Sequence, residues 1–139
     1  MSLLLDTNVI SEPEQARPDP NVLAWIVSQA ESTLFLSAVT IGELRRGIER
    51  LDSGAKKVRL QNWFEELRLK FYGRILPLTE ETFSIWGRMF AAQEVKGKVR
   101  PILDSLLEAT AIEHDLILVT RNVRNFQDSS VSIFNPWDS

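Results

Sequence analysis

Five short, continuously apolar runs punctuate this chain, and segments of helical spacing separate the first four from one another. The runs are residues 3–5, 33–37, 74–78, 116–120 and 131–134. Brief stretches without polar alternation are what strands buried on both faces require, since neither face meets water. Between them, residues 21–30, 39–51, 58–72, 80–96 and 103–115 carry apolar residues at helical intervals; in the second, Ile41, Leu44, Ile48 and Leu51 form one stripe. Strands that alternate with helices need crossover connections, so the expected fold is α/β: a three-layer sandwich with a central, mostly parallel five-stranded sheet flanked by helices.

The breaks between these segments are turns and not linkers. Pro13, Pro18 and Pro20 interrupt the segment after the first run, Asp52-Ser53-Gly54 ends the helix containing Glu43, and Lys96-Gly97-Lys98 separates two further helices. With no repeat and no low-complexity tract, residues 1–139 read as a single domain. No apolar run approaches the roughly 18 residues of a membrane span, and the N-terminal run lacks the basic start of a signal peptide, so a cytoplasmic protein with no membrane partner is expected.

Composition narrows the chemistry. The chain has no cysteine and one histidine, His114, which removes disulfides, thiol nucleophiles and zinc sites built from cysteine or histidine clusters. Any metal it binds must be held by oxygen. The net charge of −3 gives no global basic field, so nucleic acid would have to be met by local cations.

The carboxylates at strand ends are therefore the candidates. Asp6 directly follows Leu3-Leu4-Leu5, and ligands of open α/β sheets bind beyond the carboxyl ends of strands. Glu43 lies in the first turns of the helix after the second strand, and Asp104 near the start of a later helix, each on the flank of its apolar stripe. Three segments thus deliver one acid each to the same rim. Each acid also has a structural role open to it. Asp6 suits the N-cap of a short helix beginning near Asn8. Thr40 with Glu43 has capping-box spacing. Asp104 sits at the positive end of a helix dipole.

Convergence is what distinguishes the chemical reading. Two like charges about 4 Å apart repel by about 4 kcal/mol at an effective dielectric of about 20. A divalent cation removes that penalty, and carboxylate oxygens with water are the ligands Mg²⁺ or Mn²⁺ prefers. The implied reaction is metal-assisted hydrolysis of a phosphodiester, with no covalent nucleophile. Two other aspartate-based folds fit less well. Phosphatases of the haloacid-dehalogenase kind place a second acid two residues after the first, where this chain has Asn8, and receiver domains use an acidic pair near the first strand that is missing here.

The segments "LLLDTNVISEP", "LSAVTIGELRRG", "GRILPL", "LDSLLEATAIEH", "LVTRN" and "FNPW" together resemble PIN-domain endoribonucleases of the VapC toxin type, and within them the FitB-like branch. The resemblance spans nearly the whole chain. It puts the family's three acids on Asp6, Glu43 and Asp104, and it implies an Mg²⁺- or Mn²⁺-dependent ribonuclease toxin. The same resemblance implies RNA as substrate, a VapB-like, DNA-binding antitoxin as partner, and a homodimer or higher assembly. The family often has a fourth acid near "TRN", where this chain carries Asn122 and Asn125; Asn122 is accordingly expected near the metal as a neutral, weaker participant. Thr7, Asn8, Thr120 and Asn125 are expected as hydrogen-bonding support. The alternative is a catalytically weak or inert partner of a DNA-binding antitoxin in an autorepressing complex.

Cations lie beside each acid in sequence. Arg45 and Arg46 follow Glu43, Lys96, Lys98 and Arg100 precede Asp104, and Arg121 and Arg124 flank Asn122. Of these, Arg45, Arg46, Lys98, Arg100 and Arg121 are the expected phosphate contacts. Glu108, one turn beyond Asp104, reads as a solvated surface acid that could also join the site, and His114 as a helix-end residue. Trp25, Trp63, Trp86 and Trp137 read as packing residues. The helices over residues 39–72, with Trp63, Phe64, Leu67 and Phe71, offer either a partner-binding face or core.

Overall fold

Leu3–Leu5 form the central strand, β1, because each of its faces meets a different apolar layer. The structure, a computed structural model, describes residues 1–138. Leu3 and Leu5 pack with Leu34, Leu36, Leu44, Ile48, Phe64 and Phe71. Leu4 turns the other way, to Leu107, Ala111, Leu118 and Phe126. This two-residue alternation is the pleat of a strand covered on both sides.

Two strands flank β1 in parallel: β2 (Leu34–Ser37) on one side and β4 (Ile117–Val119) on the other. Beyond them lie β3 (Ile75–Leu76) next to β2 and β5 (Ile133–Phe134) next to β4, again parallel. The order β3-β2-β1-β4-β5 matches the expected mostly parallel five-stranded sheet. The ladders are shorter than the apolar runs that announced them. Thr33 closes a 3-10 turn before β2, and the Arg74 guanidinium donates to the Glu31 and Leu34 carbonyls at 2.5 and 2.7 Å. Thr33 and Arg74 thus lead into β2 and β3, whose ladders begin one residue later.

The helices are α1 (Thr7–Ile10), α2 (Pro20–Ser28), α3 (Ala38–Glu49), α4 (Ala55–Lys70), α5 (Glu80–Val95) and α6 (Ile102–His114). Helices α3 and α4 supply Leu44, Ile48, Phe64 and Leu67 to one face of the sheet. Helix α6 covers the other face with Leu107 and Ala111. Helix α5 lies against α6, where Trp86 Nε1 donates to Ser105 Oγ at 2.8 Å and Thr82 Oγ1 to Glu113 at 2.5 Å. Helix α4 begins at Ala55, before the expected residue 58, because Lys57 Nζ reaches the carbonyls of Glu49 and Leu51 at 3.3 and 3.2 Å and ties the α3–α4 turn. Gly97 turns the chain between α5 and α6 at φ 71°, a conformation glycine adopts without strain.

Of the two readings for residues 39–72, core prevails for the large side chains. Phe64, Leu67 and Phe71 are buried, and only Trp63 is left half-buried at the edge of that cluster. The exposed apolar face imagined there is not made of these residues. Among the described residues no helix is long and apolar enough to cross a membrane.

The strand order has a functional corollary. The chain moves outward from β1 through β2 to β3, then returns to β4 on the opposite side of β1 and continues to β5. The reversal leaves a crevice beyond the carboxyl ends of β1 and β4, where such sheets bind ligands. Asp6 and Thr120 follow those two strands.

Candidate active site

Asp6 occupies the crevice with two duties. As N-cap of α1 it accepts the Thr7 amide at 2.7 Å, and its other oxygen accepts Thr120 Oγ1 at 2.8 Å and Asn8 Nδ2 at 3.4 Å. The capping role and the rim position coexist. Burial pushes its pKa up to about 6; the Thr120 and Thr7 hydrogen bonds pull downward, while Glu43 and Asp104 push upward.

Glu43 is on the second turn of α3, half-buried, and Thr7 Oγ1 donates to its Oε1 at 2.6 Å. The capping-box reading of Thr40 and Glu43 is corrected here. Ser37 caps α3 by accepting the Val39 amide at 3.0 Å, whereas Thr40 lies buried inside the helix with its hydroxyl unpartnered among the described residues. The cap falls three residues earlier because the strand runs straight into the helix, which frees Glu43 to face the crevice.

Asp104 is half-buried in the first turn of α6 and accepts Asn125 Nδ2 at 2.8 Å. Asn125 rather than Asn122 is therefore the amide that touches an acid. Asn122 is exposed and caps a 3-10 turn, its backbone amide donating to Thr120 Oγ1 at 3.0 Å, and no hydrogen bond joins its side chain to the acids among the described residues. Asn8 accepts the Arg121 amide at 3.3 Å and so helps fasten the loop after β4 to the loop after β1.

Electrostatically the three acids form one group, since Asp6 feels both others. As ligands they stand apart: among the described residues no three histidine, cysteine, aspartate or glutamate side chains are close enough to hold one metal ion. Thr7 holds Glu43 and Asn125 holds Asp104 in these positions. The expectation that three carboxylates already meet at one point is thus corrected to proximity with each acid separately anchored.

The expected phosphate contacts divide sharply. Arg46 and Arg121 are exposed, Arg121 lying 5.2 Å over the Trp137 ring, and the neighbouring Arg124 is exposed as well. Arg45 is engaged with α4, 3.4 Å from Glu65 and 4.6 Å above the Phe64 ring. Lys98 pairs with Asp128. Arg100 is not a surface cation: it is 8% exposed and donates to the carbonyls of Asn125 and Gln127. Its counterion is Glu108, 3.7 Å away and 1% exposed, which overturns the reading of Glu108 as a solvated acid. Helical spacing placed Glu108 on the Asp104 flank; the loop of residues 125–129 folds over that flank and buries it, a contact no local pattern announces.

The remaining aromatic residues pack as expected. Trp25 meets Phe134 at 5.2 Å, and Trp86 meets Phe90 at 5.0 Å. His114 ends α6 beside Glu113 at 3.6 Å.

The sequence matches the PIN domain family over residues 3–129. It is 40% identical over 136 residues to Toxin FitB of Neisseria gonorrhoeae, covering 97% of this chain and 98% of that one. It is 38% identical over 137 residues to VapC ribonuclease Y4jK of Sinorhizobium fredii, covering 98% of each. The crystal structure of FitAcB from Neisseria gonorrhoeae superposes with a TM-score of 0.93 at 38% identity over 99% of both chains. That of FitAB bound to the IR36 DNA fragment gives 0.92, also at 38% identity, over 99% of this chain and 96% of the other. With an all-parallel sheet in this order and near-complete coverage on both sides, the chain belongs to the PIN-domain family, among the VapC and FitB proteins.

Proposed function

We propose that this chain is the toxin of a type II toxin–antitoxin pair, an endoribonuclease that hydrolyses RNA phosphodiester bonds with Mg²⁺ or Mn²⁺. The observation that carries the reading is an acidic group left without cationic partners. Asp6 is buried at a pKa near 6 with Glu43 and Asp104 adding repulsion, and among the described residues no lysine or arginine forms an ion pair with any of the three. A fold keeps such a group at a cost in stability, which a bound cation offsets. One relative is named a ribonuclease and another a toxin, and FitAB was solved on DNA.

The donor set suits a hard divalent ion: oxygen ligands only, with hydroxyl and amide groups beside them. Asp6, Glu43 and Asp104 would hold it, Glu43 and Asp104 through the oxygens that Thr7 and Asn125 leave free, with Asn122 at the margin. When bound, such an ion supplies Lewis-acid stabilisation of phosphate charge and lowers the pKa of water. The chain's own residues prepare the site. Thr7, Thr120 and Asn125 orient the carboxylates, Asn8 fastens the loop after β4, and Arg46, Arg121 and Arg124 present exposed cations to phosphates along the rim. RNA as substrate makes the cytoplasm the place of action.

A cavity of about 360 Å³ runs from Thr7 and Glu43 between α3 and α4, lined by Leu44, Ile48, Leu60 and Trp63. An amphipathic antitoxin segment fits it, with an arginine reaching Glu43. The antitoxin in this reading is VapB-like and DNA-binding, and the toxin assembles as a homodimer or larger unit. The decisive test is RNA cleavage by purified, antitoxin-free protein. Activity with Mn²⁺, its loss with EDTA, and loss in folded Asp6→Asn, Glu43→Gln and Asp104→Asn are expected. A wild type inactive on total RNA at saturating metal overturns the nuclease reading in favour of an inert partner.

A further inference from the structure

We infer that the buried Arg100–Glu108 pair is a positioning device that sets the orientation of Asp104 through the loop of residues 125–129; the inference rests on the reading of Asp104 as a site acid. Arg100 comes from the α5–α6 turn and Glu108 from α6, one turn beyond Asp104, and neither is accessible enough to meet substrate, at 8% and 1% exposure. Together they grip the loop at three points. The Arg100 guanidinium donates to the carbonyls of Asn125 and Gln127, and Ser129 Oγ donates to Glu108 Oε2 at 2.5 Å. The same loop sends the Asn125 side-chain amide to Asp104 Oδ2 at 2.8 Å.

The chain of contacts is continuous, from Glu108 through Arg100 to the Asn125 backbone and from the Asn125 side chain to Asp104. Each link constrains the next. Two carbonyls held by one planar guanidinium fix the plane of residues 125–127, which a lysine's point charge would not do. With that plane fixed, the Asn125 amide has one direction available, and Asp104 receives its donor at that place only. Glu108 keeps the arginine from standing as an uncompensated buried charge. Its Oε1 has no hydrogen-bond partner among the described residues, so its contribution there is charge. A residue acting at this distance tunes a ligand's orientation and not its chemistry, and losing such support lowers metal affinity by roughly ten- to hundred-fold.

Removing Arg100 alone strands a buried carboxylate, and the variant is expected to misfold. The informative protein is the double variant Arg100→Met with Glu108→Leu, which replaces the pair by apolar groups of similar size; Ser129→Ala is the milder companion. Amide NMR of metal-free protein reads the Asn125 side-chain NH₂ directly, and calorimetric titration with Mn²⁺ reads the site. A folded double variant is expected to lose the distinct Asn125 NH₂ shift and to bind Mn²⁺ roughly ten-fold more weakly or worse, with Ser129→Ala between it and wild type. An unchanged Asn125 signal in either folded variant overturns the inference. If the double variant does not fold, Ser129→Ala decides alone. If wild type itself takes up no Mn²⁺, the metal reading fails, while the Asn125 signal still decides whether the pair positions the loop.

Discussion

Thr120 Oγ1 donates to Asp6 Oδ2 at 2.8 Å across 114 residues of sequence, and this bond joins the ends of the two strands that frame the crevice. The same hydroxyl accepts the Asn122 amide at 3.0 Å, so one threonine orients the central acid and starts the loop that carries Asn122 and Asn125. The site is held by hydroxyls and amides, and among the described residues no ion pair compensates its carboxylates. Its behaviour with pH, metal and salt follows from that.

Asp6 should make metal-free protein less stable at neutral pH than in mild acid. Its folded pKa of about 6 lies above the ordinary 3.8, so the native state binds its proton more tightly than the unfolded chain. That contribution is complete below about pH 4 and is lost as pH rises through 6, a change of about 3 kcal/mol for a shift of this size. Asp6→Asn keeps a good N-cap and removes the charge. In EDTA, thermal denaturation of the variant should give a higher Tm than wild type at pH 7.5, with the gap closing toward pH 4. A variant less stable than wild type at every pH would show that Asp6 serves the fold alone.

Thr7→Val removes the 2.6 Å bond that holds Glu43 in the crevice while preserving side-chain shape. Loss of an orienting hydrogen bond of this kind should weaken Mn²⁺ binding by about ten-fold. Calorimetric titration checks it; equal or tighter affinity would mean that Thr7 restrains Glu43 from the metal.

Arg45 and Arg46 should separate in salt dependence. Arg46 is exposed without an ion pair among the described residues, whereas Arg45 is spent on Glu65 and Phe64. Arg46→Ala should reduce the salt slope of single-stranded RNA binding by about 0.7, one phosphate contact, and Arg45→Ala should leave it near the wild-type value. Fluorescence anisotropy with an uncleaved RNA in EDTA measures both, and reversed slopes would exchange their roles.

Asn122→Asp tests the margin of the site. Among the described residues its side chain makes no hydrogen bond to the acids, so an added carboxylate is available to a metal and repels the existing group when none is present. Tighter Mn²⁺ binding with a lower metal-free Tm is expected. Unchanged affinity would put position 122 outside the site and leave Asn125 as the amide that matters.

Much of the molecule was legible in its sequence because the information there is local and periodic. Leu3-Leu4-Leu5, buried on both faces, announces a central parallel strand, and the stripe of Ile41, Leu44 and Ile48 announces the inner side of α3. The position of an acid at a strand end is likewise local, which is why Asp6 was readable as a rim residue. Boundaries were less so. Thr33 and Arg74 open strand-like runs, yet Thr33 closes a 3-10 turn, the Arg74 guanidinium donates to the Glu31 and Leu34 carbonyls, and each strand begins one residue later.

The sequence by itself determined the α/β class, the five strands with the main helices, and where Asp6, Glu43 and Asp104 fall along them, since each depends on residues within a turn or a pleat of one another. Only the tertiary structure decided what each polar group touches. It moved the helix cap from Thr40 to Ser37, brought the Asn125 side chain and not that of Asn122 to Asp104, and buried Arg100 with Glu108. Charge and spacing look alike for a solvated arginine and a buried one. The difference lies in whether a distant loop closes over it, and that is set by the packing of elements far apart in the chain.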